Sequence, residues 1–148
     1  MKKTISARLS DQEYEFVFRR TPRICLDFIV MADNKMLLTK RNIAPYKNLY
    51  HFPGGRVFYK ESIAQATQRI LGCELGIKIN AEPILAGYME FPNDGEYVHS
   101  ISMVYVIELA SEKIAEIKID EQAKKYKFFD RLPSKMHPIH KKFAIKFM

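Results

Sequence analysis

Apolar positions at a helical spacing mark the clearest element of the chain, a helix predicted over residues 62–75. Its apolar side chains follow an i, i+3, i+7, i+8 pattern and comprise Ile63, Ala66, Ile70 and Leu71. Ser10 and Glu13 form a capping-box pattern. This pattern predicts a second, shorter helix that ends at about Arg19, because a Thr-Pro pair follows and disfavours helical backbone.

Runs of apolar and β-branched residues, bounded by turn signals, predict the strands. The predicted strands cover residues 23–31, 35–41, 82–91, 97–109 and 126–129, with one short strand just before Pro53. A third helix is predicted over residues 134–147, interrupted near Pro138. This order of elements predicts an α+β fold in which residues 1–148 form a single domain.

The composition supports one folded domain with a small anionic ligand. Hydrophobic residues make up 47% of the 148 residues, which is enough for a core. The net charge of +7 would suit nucleic acid, but a basic site for a small anion explains some of this charge more economically and is favoured. No apolar run reaches the length of a membrane span, and we expect a cytoplasmic protein with no membrane partner. Cys25 and Cys73 are expected to be reduced, buried thiols.

One stretch of the chain carries a spaced set of glycines and charged residues. Residues 54–77 read GGRVFYKESIAQATQRILGCELGI, in which Glu61 follows Gly55 after five residues and Arg69 follows Glu61 after seven. This spacing resembles the Nudix box, G-x5-E-x7-R-E-U-x-E-E-x-G-U, where U is aliphatic. The resemblance implies a Nudix hydrolase and its fold, a mixed β-sheet sandwiched between α-helices.

The box lacks two of its three usual metal-facing carboxylates. Ile70 and Cys73 stand where two of them are expected, and only Glu74 remains. Positions 70, 73 and 74 lie about one turn apart on one helix face. Because Mg²⁺ takes oxygen ligands and keeps waters and substrate phosphates, this face is expected to hold at most one Mg²⁺. The resemblance implies that the Gly54 carbonyl also faces the metal and that Gln122 is a further, neutral ligand.

Four segments in order are similar to one branch, the GDP-mannose mannosyl hydrolases. The segments are Thr21–Val30, Lys40-Arg41, Tyr50–Arg56 and Asp120-Glu121-Gln122. The branch also carries an aliphatic and a small residue at the two altered box positions. The resemblance implies Mg²⁺-dependent hydrolysis of a GDP-sugar to GDP and free sugar, by a homodimer.

The same resemblance assigns roles to charged residues around the box. Arg41, Arg56 and Arg69 match arginines that neutralise the diphosphate, and guanidinium forks suit phosphate oxygens. Arg69 is also expected to pair with Glu61 and brace the box. Asp27 matches an aspartate near the active site.

The general base cannot be assigned from the motifs. The branch places a histidine directly after Gln122, but this chain has Ala123 there, and the usual box carboxylate is Ile70. Neither side chain can accept a proton. Glu121 is the nearest substitute. Other candidates are Glu90, His99 and His51, of which His99 is also expected to contact substrate.

Two further functions stay open at this point. One is a catalytically impaired domain that binds a nucleotide sugar, which Ile70 and Ala123 would favour. The other is a conventional Nudix pyrophosphohydrolase that acts on another nucleoside diphosphate derivative, against which the residues at positions 70 and 73 argue.

Overall fold

The computed structural model describes residues 9–119 and 123–148, with the backbone alone at residues 123 and 124. The helices are α1 (Asp11–Phe18), α2 (Ile63–Leu75) and α3 (Pro138–Ala144), and two 3-10 turns cover Ser111–Glu116 and Ile145–Phe147. The strands are β1 (Arg23–Ala32), β2 (Lys35–Arg41), β3 (Tyr50–His51), β4 (Gly54–Arg56), β5 (Ile84–Phe91), β6 (Ser100–Glu108) and β7 (Ala123–Phe129). No helix in the described ranges is both long and apolar enough to cross a membrane.

The strands form one mixed sheet. Its order is β3-β2-β1-β6-β5, with β4 paired to β1 and β7 paired to β2. The long central pair, β1 and β6, is parallel, with Arg23 opposite Ser100 and Met31 opposite Glu108. The other strand pairs are antiparallel. The predicted α+β fold is therefore confirmed.

Each face of the sheet carries its own core. Successive residues of a strand point to opposite faces. Leu26 and Phe28 of β1 therefore pack with α2, whereas Ile29 joins the cluster that includes α3. The α2 residues in the first core are Ala66, Ile70, Leu71 and Leu75. This arrangement leaves both faces of the central strands covered by helices.

The ends of α2 have clear local causes. Ser62 is the N-cap, and its hydroxyl accepts from the Gln65 N–H at 3.1 Å while the Gln65 side chain accepts from the Ser62 N–H at 2.9 Å. Gly76 ends the helix with a left-handed φ of 65°. A Cβ at Gly76 would also lie 3.2 Å from the Lys118 carbonyl oxygen. The helix therefore matches the predicted range of residues 62–75 closely.

Three elements begin about three or four residues away from their predicted starts. The C-terminal helix begins at Pro138 instead of residue 134, because His137 is its N-cap and proline is tolerated only in the first turn. Strand β7 begins at Ala123 instead of residue 126, because it pairs along β2 as far as Arg41. Strand β6 begins at Ser100 instead of residue 97, which leaves His99 in the preceding loop.

Candidate functional site

A cleft of about 540 Å³ opens beside β4 and the C-terminal half of α2. Its walls come from strands β1 to β6, from α2 and α3, from the loop after β2 and from the loop before β6. Seven residues named as candidates from the sequence line it: Asp27, Arg41, His51, Gly54, Arg56, Arg69 and Glu74. The fold thus brings together residues that are up to 47 positions apart in the chain, the separation of Asp27 and Glu74.

The cleft is rich in positive charge. Four arginines line it, against three carboxyl groups. One of these carboxylates, Asp94, lies 3.2 Å from the guanidinium of Arg23 and so forms an ion pair within the wall. Burial lowers the pKa of Arg41 and of Arg56, the expected effect of taking a cation out of water. A site of this kind favours an anionic ligand.

The predicted pair of Glu61 and Arg69 is present. Arg69 donates from Nε to Glu61 Oε1 at 2.6 Å and from Nη2 to Oε2 at 2.9 Å. Arg69 Nη2 also donates to the Arg56 carbonyl at 2.6 Å, and its guanidinium carbon lies 3.6 Å from the centroid of the Phe58 ring. The Arg69 hydrogen bonds lower the pKa of Glu61, so the carboxylate stays ionised. Arg69 therefore fixes the turn that carries Arg56, and one side of the Arg69 side chain faces the cleft.

Asp27 and Gly54 meet where β1 pairs with β4. Asp27 is opposite Gly54 in the register, and a Cβ on Gly54 would lie only 2.3 Å from Asp27 Oδ1. Ser102 donates a short hydrogen bond to Asp27 Oδ2. Asp27 is 9% exposed, and burial raises its pKa from 3.8 to about 7, against the opposite effect of the Ser102 hydrogen bond. Gly54 is thus needed to make room for a carboxyl group that changes charge near neutral pH.

The altered metal face of α2 lies in the cleft wall. Ile70 is 2% exposed and packs in the core, although part of its side chain borders the cleft beside Gly55. Cys25 is only half-buried, and Cys73 lines the cleft and is exposed, so the expectation that both thiols are buried was wrong. The position of Cys73 on the cleft side of α2, one turn from Ile70, explains its exposure.

Glu74 and the Gly54 carbonyl supply the type of oxygen donor that Mg²⁺ prefers. No group of three or more metal-binding side chains occurs within residues 9–119 and 123–148. The donors described here fit one cation that keeps waters and ligand oxygens, and they do not fit a multi-metal cluster. The negative charge of Glu74 also acts on Arg41, whose guanidinium it helps to keep protonated.

Three histidines line one end of the cleft, and the motifs gave no reason to group them. His51 comes from β3, while His137 and His140 lie at the start of α3. The ring centroids of His137 and His140 are 4.9 Å apart, and those of His51 and His140 are 6.0 Å apart. Burial lowers the pKa of all three, to about 4 for His51. This end of the cleft therefore carries neutral imidazoles at neutral pH. The H-x-x-H spacing of the last two was the one signal in the sequence.

Two predicted residues are not in the cleft. Val98 and Ser100 contribute to its wall, but His99 between them does not, because neighbouring residues of extended chain point to opposite sides. His99 therefore lies outside the cleft wall, and its contact with substrate stays a prediction. Glu90 is exposed on β5 and is likewise absent from the cleft wall. Glu121 and Gln122 lie outside the described residues.

Comparison with known proteins identifies related chains. A family model described as the NUDIX domain matches residues 21–147. An "ADP-ribose pyrophosphatase" of Methanocaldococcus jannaschii is 32% identical over 109 residues, which are 74% of this chain and 62% of that protein. The chain thus spans less than two thirds of that relative. The "low-salt glycan biosynthesis protein Agl8" of Haloferax volcanii is 25% identical over 136 residues, which are 90% of this chain and 86% of that protein.

Solved structures show the same fold. A MutT NUDIX hydrolase from Burkholderia pseudomallei superposes with a TM-score of 0.75 at 24% identity, and the match covers 85% of this chain and 98% of that one. The NUDIX domain of Shewanella oneidensis NrtR, solved with ADP ribose, superposes with a TM-score of 0.60 at 17% identity over 82% of this chain and 83% of that one.

Proposed function

This chain belongs to the Nudix family, and from that premise we propose that its cleft binds a nucleoside diphosphate derivative and hydrolyses it with one Mg²⁺. The observation that carries the proposal is the set of arginines around the box helix, Arg41, Arg56 and Arg69, in a cleft where cations outnumber carboxyl groups. Guanidinium groups bind phosphate oxygens well and stabilise the charge that develops on a leaving diphosphate.

The finer proposal is that the substrate is a GDP-sugar and that water attacks the sugar carbon, releasing GDP and free sugar. A metal face reduced to Glu74 supports it, since attack at carbon does not require a metal cluster to activate the water. The four sequence segments similar to GDP-mannose mannosyl hydrolases support it as well.

Each residue has a proposed role. Arg41 and Arg56 bind the diphosphate, while Arg69 holds the box turn in place and presents its outer edge to the ligand. Glu74, the Gly54 carbonyl and Gln122 hold Mg²⁺, which when bound neutralises charge on the diphosphate. Within the described residues, Asp27 and His51 are cleft side chains that can accept a proton, and Glu121 stays a proposed base beside them.

A second candidate function is pyrophosphate hydrolysis at phosphorus. The 32% identity to a protein named as an ADP-ribose pyrophosphatase favours it. A third is binding of a nucleotide sugar without turnover, which Ala123 at the branch's histidine position favours.

A product assay with Mg²⁺ separates the three. The protein would be incubated with GDP-mannose and, in parallel, with ADP-ribose, and the products resolved as free sugar or sugar phosphate. We expect GDP and free mannose. Sugar phosphate from either substrate would support the second candidate and contradict the first. Tight binding without product would support the third, and Ala123→His should then restore turnover.

We also propose a cytoplasmic homodimer. Exposed apolar residues on the edge strand β5, Ile84 at 71% and Tyr88 at 65%, support a contact between two copies at this edge. Light scattering after gel filtration tests it, with Tyr88→Lys expected to give the monomer. A monomeric unmodified protein at micromolar concentration would contradict it.

A further inference from the structure

One buried polar atom of the cleft wall has no partner. His137 is 5% exposed, and its Nε2 makes no hydrogen bond with any residue in the described ranges. Buried polar groups are nearly always hydrogen-bonded, so an orphan of this kind calls for a physical reason. The ring lies in the wall of the cleft, on the same side as Arg41, whose charge acts on it.

The hydrogen bonds of His137 establish that Nε2 is a donor. His137 is the N-cap of α3, and its Nδ1 accepts from the Ile139 N–H at 3.2 Å. Burial lowers the pKa of the ring, and the charge of Arg41 acts in the same direction, against the opposite effect of Asp94, so the ring is neutral at neutral pH. A neutral imidazole that accepts at Nδ1 carries its proton on Nε2. His137 Nε2 is thus an N–H donor that has no acceptor among the described residues.

Three aromatic rings pack around the His137 ring, and one of them is partly exposed. The His137 centroid lies 4.1 Å from that of Tyr46, 5.6 Å from Phe91 and 4.9 Å from His140. Phe91 and His140 are buried in the core, whereas Tyr46 is 37% exposed and lies in the loop between β2 and β3. The Tyr46 ring can therefore move without disturbing the core.

We propose that His137 Nε2 donates a hydrogen bond to an uncharged oxygen of the bound ligand, a sugar hydroxyl or a nucleobase carbonyl, after the Tyr46 ring has moved aside. The inference rests on the proposed function, because the ligand is the diphosphate derivative held by Arg41. Charged oxygens are matched by the arginines, while a neutral N–H donor among aromatic rings suits an uncharged acceptor.

Two substitutions at His137 separate its role as a hydrogen-bond donor from its role as the N-cap of α3. His137→Asn keeps an acceptor for the Ile139 N–H, since asparagine is a preferred N-cap, but it removes the Nε2–H donor. His137→Gln extends an amide donor to about the place of Nε2 and weakens the cap. Thermal unfolding of both variants shows whether each is folded.

Affinities would be measured by calorimetry in EDTA, where the proposed hydrolysis does not run. The ligands are GDP-mannose, GDP, ADP-ribose, ADP and inorganic diphosphate. We expect His137→Asn to weaken binding of at least one nucleotide ligand by about 3- to 10-fold, the usual worth of one hydrogen bond, and His137→Gln to weaken it less. Neither variant should change the affinity for inorganic diphosphate.

The ligand set identifies the acceptor. A loss for GDP-mannose but not for GDP, or for all nucleotides alike, indicates a sugar hydroxyl. A loss for GDP and GDP-mannose but not for ADP indicates the guanine carbonyl. An unchanged affinity for every ligand in His137→Asn overturns the inference, and so does an equal loss for inorganic diphosphate. If the unmodified protein binds none of these ligands, with EDTA or with Mg²⁺, the proposed function itself fails.

Discussion

Replacing Asp27 with asparagine should stabilise the folded protein by an amount that grows with pH. Asp27 is 9% exposed, and burial raises its pKa from 3.8 to about 7. Between these two values the folded protein holds a proton that the unfolded chain has released, so the free energy of unfolding falls as pH rises through this window. Asparagine does not titrate, and its amide oxygen can still accept from Ser102.

The size of this stabilisation follows from the shift in the pKa of Asp27. A shift of about three units corresponds to about 4 kcal/mol of destabilisation once Asp27 is ionised in both states. At pH 5 Asp27 is still protonated in the folded protein, and the free energy of unfolding is lowered by about 1.5 kcal/mol. The stability difference between Asp27→Asn and the unmodified protein should therefore increase by about 2–3 kcal/mol between pH 5 and pH 8.

Urea denaturation at several pH values measures this difference directly. EDTA should be present, so that no divalent cation near Gly54 contributes. Ser102→Ala is the matched control, because loss of its hydrogen bond should raise the pKa of Asp27 further and move the transition to higher pH. A stability difference that stays constant from pH 5 to pH 8 would refute the assignment of a titrating, buried carboxyl group.

Three further variants test the site. Glu74→Gln should abolish Mg²⁺-dependent turnover in a product assay without lowering the melting temperature, since the carboxylate lies in the cleft wall; near-normal rates would contradict its role as metal ligand. Gly54→Ala should lower the urea-derived unfolding free energy by about 1–3 kcal/mol, because its Cβ would press on Asp27, and an unchanged value would disprove that close contact. Glu61→Gln should cost about 1–3 kcal/mol at pH 7 through the lost charge-assisted bonds to Arg69. Because the pKa of Glu61 is lowered, this cost should shrink as the pH falls below 4.5, the ordinary pKa of a glutamate, and a pH-independent cost would argue against the ion pair.

Local signals in the sequence predicted the box region well. The helix of residues 62–75 rests on its apolar spacing, its capping box and a terminal glycine, and all three act within a few residues of the helix. The Glu61–Arg69 pair also follows from short-range geometry within one turn-helix unit. Such features depend little on the rest of the chain.

Features that depend on distant packing were missed. His137 and His140 reach the cleft because α3 packs against the sheet face that carries Ile29 of β1 and Phe91 of β5, both distant in the sequence. His99 was predicted to lie in a strand, but β6 pairs with β1 only from Ser100 onward, so the histidine lies in the preceding loop. The neutral state of the histidines likewise comes from burial, which a single sequence does not display.

Hydrolysis in ¹⁸O-labelled water tests the central claim most directly. The protein would be incubated with GDP-mannose and Mg²⁺, and the products analysed by mass spectrometry. Attack at the sugar carbon predicts that the label appears on free mannose and that GDP stays unlabelled. Label on a phosphate group would show attack at phosphorus and contradict the account, even with an active protein.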